Sequence, residues 1–369
     1  NPSPKFEKEL ADFIAEKMRE LGMEVQQIEV EPNRVSDLGR YRGDVGKPVL
    51  LCYGHLDTVP IGDPTKWKYP PFAAEIHDGS MWGRGTNDSK LMIAATLAGV
   101  MALKESGIEL RGDIHLCAPA DEEMGGQKGI HVMIERGMVK ADYAVQGEYT
   151  TGPTKVGMVG HRGVLWFEVT TKGEAAHSRR RHEKVNAILK VLKVAQALDE
   201  MEFTGWKPHP TVPGVPYISP NIIRGGIKEN VIADSCTLTC DIRHLPGQTY
   251  EMLMSDINGV LDRLRAADPK LEVEVKPILY GRPLEQSTDE PIIKYTQAAI
   301  KEVMGLEKLP PVVGSEAASD TRWFVYDAGI PMCSFSDTHT GHTPNEHIEI
   351  ETYMNTIKLI SLLSLMLLK

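Results

Sequence analysis

The chain has 369 residues, more than one ordinary hydrophobic core organises, so two domains are expected. A composition of 41% hydrophobic and 25% charged residues is that of a water-soluble globular protein, and a formal net charge of -10 argues against a nucleic-acid partner, whose phosphates need a basic face. Five cysteines, an odd number without dense spacing, argue against a disulfide scaffold.

Taken in chain order, Phe6, Leu10, Phe13, Ile14 and Met18 recur at helical spacing and predict an amphipathic helix over residues 4–22. Strands follow near 24–31 and 48–53, then a helix from Ser89 to Glu105, a strand at Asp113–Ala118, a helix at Gln127–Arg136 and a strand at Tyr143–Val145. Strands alternating with helices predict an α/β domain: a mostly parallel sheet flanked by helices on both faces. The texture changes after Gly160. Val164–Thr171, Tyr217–Ile223, Val231–Ile242 and Leu271–Pro277 read as strands, with helices at Val185–Leu198 and Thr249–Ala266. From about Gly281 the α/β pattern resumes, with a helix at 289–304 and a short strand at Pro331–Phe335. The expected organisation is a discontinuous domain, 1–160 with 278–369, and an inserted α+β block, 161–277. The apolar tail Leu359–Leu368 is too short to span a bilayer and is expected to pack as a last helix. Cys236 and Cys240 share one face of an alternating run and read as two buried thiols. No signal peptide is visible in the sequence, which opens Asn1-Pro2-Ser3-Pro4 without Met, and cytoplasm is the default compartment, with no membrane partner expected.

Open parallel sheets bind ligands beyond the carboxyl ends of their strands, and the polar clusters of this chain fall there. His55 and Asp57 follow the strand ending near Tyr53. Asp88 follows the Gly-rich turn Gly83-Arg84-Gly85-Thr86-Asn87. Asp121-Glu122-Glu123 follows the strand 113–118, Glu148 follows the strand 143–145, and His342 follows the strand 331–335. Imidazole and carboxylate donors suit zinc, with cobalt or manganese as substitutes. Two His and three carboxylates hold two cations if one carboxylate bridges. A cation pair polarises a carbonyl and activates water, and a further free carboxylate takes that water's proton. The adjacent Glu122 and Glu123 can divide those tasks.

Six segments in order carry a resemblance: Gly54-His55-Leu56-Asp57-Thr58-Val59-Pro60, Gly83-Arg84-Gly85 through Asp88 to Lys90, Asp121-Glu122-Glu123 with Gly125-Gly126, Gly147-Glu148, Ala176-His177-Ser178, and His342 through Glu346. Together they resemble the dizinc aminoacylase/carboxypeptidase family, the group of acetylornithine deacetylase and succinyl-diaminopimelate desuccinylase, from about residue 4 to the C-terminus. The resemblance implies a zinc-exopeptidase-like catalytic domain with an inserted lid and dimerisation domain. It implies two Zn2+ ions, one held by His55, Asp88 and Glu148, the other by Asp88, Glu123 and His342, with Asp88 bridging. Asp57 would orient His55, and Glu122 would be the general base that deprotonates the bridging water. His177 would stabilise the oxyanion, in the partner subunit's site of a homodimer. Asn230 and Arg243 would bind the substrate carboxylate. A Glu at the position of Glu148 points toward acylases and carboxypeptidases and away from aminopeptidases.

The implied activity is hydrolysis of the amide bond of a small N-acyl amino acid, or of a short peptide with a free carboxylate as in a carboxypeptidase or dipeptidase. The lid is expected to close over the substrate. A non-catalytic binding homologue is the rival in another class, and a serine hydrolase lacks support because no Gly-x-Ser-x-Gly elbow is present. The chain departs from the family at Arg179-Arg180-Arg181, at Ala233, and in the loop 314–322, which mixes deacetylase-like Ser-Glu-Ala with desuccinylase-like Ser-Asp-x-Arg.

Overall fold

A computed structural model of the chain describes residues 7–147, 154–335 and 340–369. The chain divides into two compact units. The first comprises Asn1–Gly160, Glu285–Ser315 and Ser319–Lys369; the second comprises His161–Leu284 and Glu316–Ala318.

The first unit is built on a six-stranded sheet, in the spatial order Glu24–Glu31, Arg34–Tyr41, Asp113–Ala118, Val49–Tyr53, Tyr143–Gln146, Met332–Ser334. The last four strands run parallel, and the first two form an antiparallel hairpin added at one edge. Val49–Tyr53 and Asp113–Ala118 are buried along their whole length, as central parallel strands covered on both faces must be. One face packs the helices Lys90–Glu105, Pro291–Val303 and Ile350–Leu368 around Leu50, Cys52, Ile114, Val145 and Cys333. The last of these is the expected C-terminal helix, burying Leu359, Ile360, Leu363 and Leu367. Among the described residues, no helix is long and apolar enough to cross a membrane.

The strand Arg34–Tyr41 is absent from the sequence expectation because its buried side chains include Ser36 and Asp37, which hide the alternation of apolar residues. The helix expected at Gln127–Arg136 shortens to Ile130–Glu135, its start delayed by the turn that ends at Gly129. Phe13 lies on the exposed side of the helix Glu7–Glu20, whose buried stripe is Ala11, Ile14, Ala15 and Met18.

A small three-stranded sheet, Glu75–His77, Ser80–Trp82 and His347–Glu349, also escapes the sequence patterns, its strands being only three residues long. It matters for the site. His347 pairs with Trp82, so the chain leaving one strand at Gly83 lies beside the chain entering the other at Glu346.

The second unit is a four-stranded antiparallel sheet in the order Tyr217–Gly225, Ser235–His244, Gly163–Lys172, Val273–Gly281. The helices Ala187–Asp199 and Tyr250–Ala267 cover one face, over Leu165, Phe167, Val169, Cys236, Leu238, Cys240 and Ile242. Cys236 and Cys240 are buried free thiols of that core, as are Cys52, Cys117 and Cys333 elsewhere. The long strand expected at Val231–Ile242 is two strands. Val231–Ile232 turns aside to pair with Ala176–His177, and Ser235–His244 joins the main sheet.

Candidate metal centre

His55 stands two residues past the end of Val49–Tyr53 and is fully buried. Its backbone N–H donates to Ser89 Oγ at 2.9 Å, and its ring is fixed at both nitrogens. Nδ1 lies 3.0 Å from the Asp57 carbonyl oxygen and 3.4 Å from Asp57 Oδ1; Nε2 lies 3.0 Å from Asp88 Oδ1. The nearer partner of Nδ1 is thus the Asp57 backbone. Both ring nitrogens face oxygen acceptors, and a cation bound at Nε2 would stand in place of a proton shared with Asp88.

The Asp57 carboxylate has a second task that its spacing from His55 does not disclose. Oδ1 accepts the backbone N–H of Glu122 and Oδ2 that of Glu123, both at 3.1 Å. Burial pushes the Asp57 carboxyl up, but hydrogen bonding and charge from His55, with these two backbone donors, outweigh it and hold the group below the ordinary range.

Glu122–Met124 forms a single 3-10 turn between two residues with positive φ, Asp121 at 71° and Gly125 at 100°. Asp121 is one of the few residue types that tolerate this region. Its side chain is pinned by Arg34 and accepts the backbone N–H of Lys128 at 2.7 Å. Gly126 is required next to it: its φ is 72°, and a Cβ there would stand 2.2 Å from Asp320 Oδ1. Glu122 is buried. Glu123 accepts the Val59 N–H at 3.2 Å through Oε1 and places Oε2 2.9 Å from His342 Nε2.

Asp88 joins the two histidines. Oδ1 faces His55, while Oδ2 lies 3.1 Å from His342 Nε2. Burial pushes the Asp88 carboxyl up, and the hydrogen bonds from His342 and then His55 overcome it, leaving the group well below the usual carboxylate range. His342 is pushed up to about 10, by hydrogen bonds to Asp88 first and Glu123 second, against burial. The negative pocket therefore demands a positive occupant at this nitrogen, and a divalent cation meets that demand with twice the charge of a proton. One ligand atom each of His55, Asp88 and Glu123 lies within 4.8 Å of the others, a grouping able to hold a metal ion. Nitrogen and carboxylate oxygen donors without a thiolate fit zinc, cobalt or manganese.

The structure thus brings together six of the residues singled out from sequence: His55, Asp57, Asp88, Glu122, Glu123 and His342. Glu148 and His339 lie outside the described residues. His177, Asn230 and Arg243 belong to the second unit. There Ser178 donates its N–H to the Asn230 carbonyl at 2.9 Å, so His177 and Asn230 are neighbours. His177 is exposed, and its Nδ1 accepts the Arg179 N–H at 3.2 Å. Arg243 Nε donates to Asp241 at 3.0 and 3.1 Å, so its guanidinium is already shared with a neighbour. Arg180 pairs with Glu183.

Two further groups shape the site. Glu346 is fully buried and organises the turn before Asp88, with Arg84 on its Oε2. Both stand in the sequence segments that stood out, so the signal was present without an assigned task. In the loop 314–322, Asp320 accepts the Tyr53 hydroxyl at 2.7 Å, and Arg322 donates to the carbonyls of Ser319 at 2.6 Å and Gly125 at 2.8 Å. Burial pushes the Asp320 carboxyl up to about 6, against the charge of Arg322. Asp320 and Arg322, the desuccinylase-like residues of that loop, support the Glu122 turn from behind.

Against known proteins, the model of Peptidase family M20/M25/M40 matches residues 51–365. A succinyl-diaminopimelate desuccinylase of Dechloromonas aromatica (strain RCB) is 30% identical over 92% of this chain and 88% of its own. An N-formyl-4-amino-5-aminomethyl-2-methylpyrimidine deformylase of Bacillus subtilis (strain 168) is 27% identical over 95% of this chain and 87% of its own. The crystal structure of an M20 family metallo-carboxypeptidase from Sulfolobus solfataricus shares the fold with a TM-score of 0.80, at 20% identity over 96% of this chain and 93% of that one.

Proposed function

Because the chain belongs to peptidase family M20/M25/M40 and is an amide-bond hydrolase of that metal-dependent group, we propose that it removes a small acyl group from an N-acyl amino acid that keeps a free carboxylate, using two zinc ions. The observation that carries the reading is the placement of Asp88, whose two carboxylate oxygens face two different histidines, His55 and His342. One cation would be held by His55 and Asp88, with Glu148 completing its ligands; the other by Asp88, Glu123 and His342. Bound there, the ions supply Lewis-acid polarisation of the scissile carbonyl and acidify water.

Every other task belongs to the protein. Glu122 takes the proton of the attacking water and returns it to the leaving amine, so one carboxylate serves as base and then as acid. Asp57 holds the Glu122 and Glu123 backbone, which keeps base and ligand in fixed relation. His177 stabilises the oxyanion, and Asn230 and Arg243 bind the substrate carboxylate. For Arg243 that means exchanging or sharing its present contact with Asp241.

A homodimer through the inserted unit is part of the same proposal. Helix Ala187–Asp199 buries Val191, Val194 and Leu198 on one side yet exposes Leu189 and Leu192 on the other, and the edge strand Tyr217–Gly225 exposes Ile222 and Ile223. A surface helix apolar on both sides needs a second partner. Five free cysteines fit a reducing compartment such as cytoplasm.

The test is hydrolysis of a panel of N-acetyl amino acids, N-succinyl amino acids and dipeptides by zinc-reconstituted protein, with bound zinc measured beside it. We expect two zinc per chain, cleavage of an N-acyl amino acid, and at least a ~100-fold loss of kcat in Glu122→Gln, as for removal of a general base. Preferential cleavage of dipeptides would favour the dipeptidase reading. Fewer than one zinc per chain and no turnover would favour a binding protein.

A further inference from the structure

We infer that Glu346 is the positioning residue that sets the Asp88 carboxylate in register with His342, and so determines how tightly the site holds its cations; this rests on the dimetal reading above. Five contacts from one residue carry it. Glu346 Oε1 accepts the backbone N–H groups of Gly85, Asn87 and Asp88, each at 3.0 Å. Oε2 accepts Arg84 Nη1, and the Glu346 carbonyl accepts the Gly83 N–H at 2.9 Å. The turn from Gly83 to Asp88 is therefore held by one residue, Glu346, which is fully buried.

The same residue sits four positions after His342, in the stretch that leads into the strand His347–Glu349. Asn87 Nδ2 adds two contacts to that stretch, donating to Thr340 Oγ1 at 2.9 Å and to the His347 carbonyl at 3.1 Å. Asp88 and His342 come from chain segments more than 250 residues apart, and neither is held by a regular element: Asp88 precedes the helix Lys90–Glu105, and His342 has a φ of 64°. Glu346 lies four residues along the chain from His342 and accepts the backbone N–H of Asp88.

Charge is essential to this arrangement. Three N–H donors converge on one oxygen, which an anion accepts far better than a neutral amide. The Arg84 guanidinium, itself 5.2 Å over the Trp67 ring, neutralises the far oxygen, so the buried anion is paired and fully hydrogen-bonded. Glu346→Gln keeps the size and one acceptor but removes the charge and sets an amide N–H2 against Arg84 or the backbone donors. Partners of metal ligands of this kind change cation affinity ~10–100-fold when altered.

The experiment measures zinc affinity by competition with a chromophoric chelator, using the full chain, for wild type, Glu346→Gln and Arg84→Gln. Circular dichroism of the metal-free proteins and kcat and KM across a zinc titration complete it. We expect both variants to fold, to bind zinc ~10–100-fold more weakly at both sites together, and to recover most of kcat at saturating zinc with KM little changed. A residue that only stabilised the fold would lower the melting temperature and leave zinc affinity unmoved; that result, in either folded variant, overturns the inference. If Glu346→Gln does not fold, Arg84→Gln decides. If neither folds with or without zinc, Glu346 is a folding residue and the inference is equally overturned. Wild type without tight zinc would instead refute the dimetal reading on which the inference stands.

Discussion

Replacing Asp57 by Asn separates the task of orienting His55 from that of holding the Glu122–Glu123 turn. The wild-type carboxylate accepts two buried backbone N–H groups at 3.1 Å, one on each oxygen. The closest partner of His55 Nδ1 is the Asp57 carbonyl, which the substitution keeps. Asn retains one acceptor, so one charge-assisted bond is lost and an amide N–H2 faces the orphaned donor. At about 1.5–3 kcal/mol for a bond to a charged group, the metal-free protein should lose roughly that much by urea denaturation. Because the Asp57 carboxyl is held below its ordinary value of 3.8, its stabilisation is present above that value and disappears as pH falls through the folded-state value. The gap between wild type and variant should accordingly narrow on acidification. Displacing Glu122 by even ~1 Å costs on the order of 100-fold in rate, so kcat should fall about that much with zinc saturating. A variant within about 0.5 kcal/mol of wild type, with kcat within about twofold, would refute the clamp role and leave Asp57 as a histidine partner only.

Two other outcomes are expected. Asp37 is fully buried and burial pushes its carboxyl from 3.8 up to about 7, so the stability it allows is complete below 3.8 and is lost as pH rises toward 7; Asp37→Asn should match wild type near pH 4 and exceed it by roughly 4 kcal/mol at most above pH 7, and parallel pH profiles would contradict this. Leu189→Asp with Ile223→Asp should convert a dimer to a monomer in sedimentation at micromolar concentration, since each buries a charge in an apolar contact; a wild-type monomer, or a variant that stays dimeric, removes the proposed interface.

The candidate site was legible in sequence because its residues are of the types that bind metals and because several of them follow strands whose apolar runs are plain. His55 after Val49–Tyr53 and Glu122 and Glu123 after Asp113–Ala118 are of this kind. What holds the ligands was not legible. Glu346 works mainly on backbone N–H groups, which every residue carries, so of positions 83–88 only Arg84 advertises the contact. Its partner strands, Ser80–Trp82 and His347–Glu349, are too short for an alternating pattern. The strand Arg34–Tyr41 failed for a different reason: it buries Ser36 and Asp37, so polarity inside the core masks the period. Ser36 Oγ accepts the Ala120 N–H at 3.0 Å and Arg34 pins Asp121, so the strand hidden by its polar residues uses them to fix the loop that carries Glu122.

A common device joins these contacts. Three buried carboxylates hold the loops of the site by their backbones: Asp57 the Glu122–Glu123 turn, Glu346 the Gly83–Asp88 turn, and Asp121 the approach to Ile130–Glu135. The first two loops present Glu122, Glu123 and Asp88, and the clamps add three more carboxylates, so negative charge accumulates within a buried region. Arg34 and Arg84 neutralise two of the clamps. Lys90, deep in the same region, is pushed down by burial while Asp57, Glu346, Asp88 and Glu123 pull its ammonium back up. Asp88 and Glu123 both face His342, which they push up to about 10 against burial. Backbone clamping thus makes the loops rigid at the cost of an uncompensated charge, and that charge is concentrated where two cations would bind. In such a site the free energy of cation binding would be in part free energy of folding, so the residues that build the turns and those that would bind the metals form one electrostatic unit.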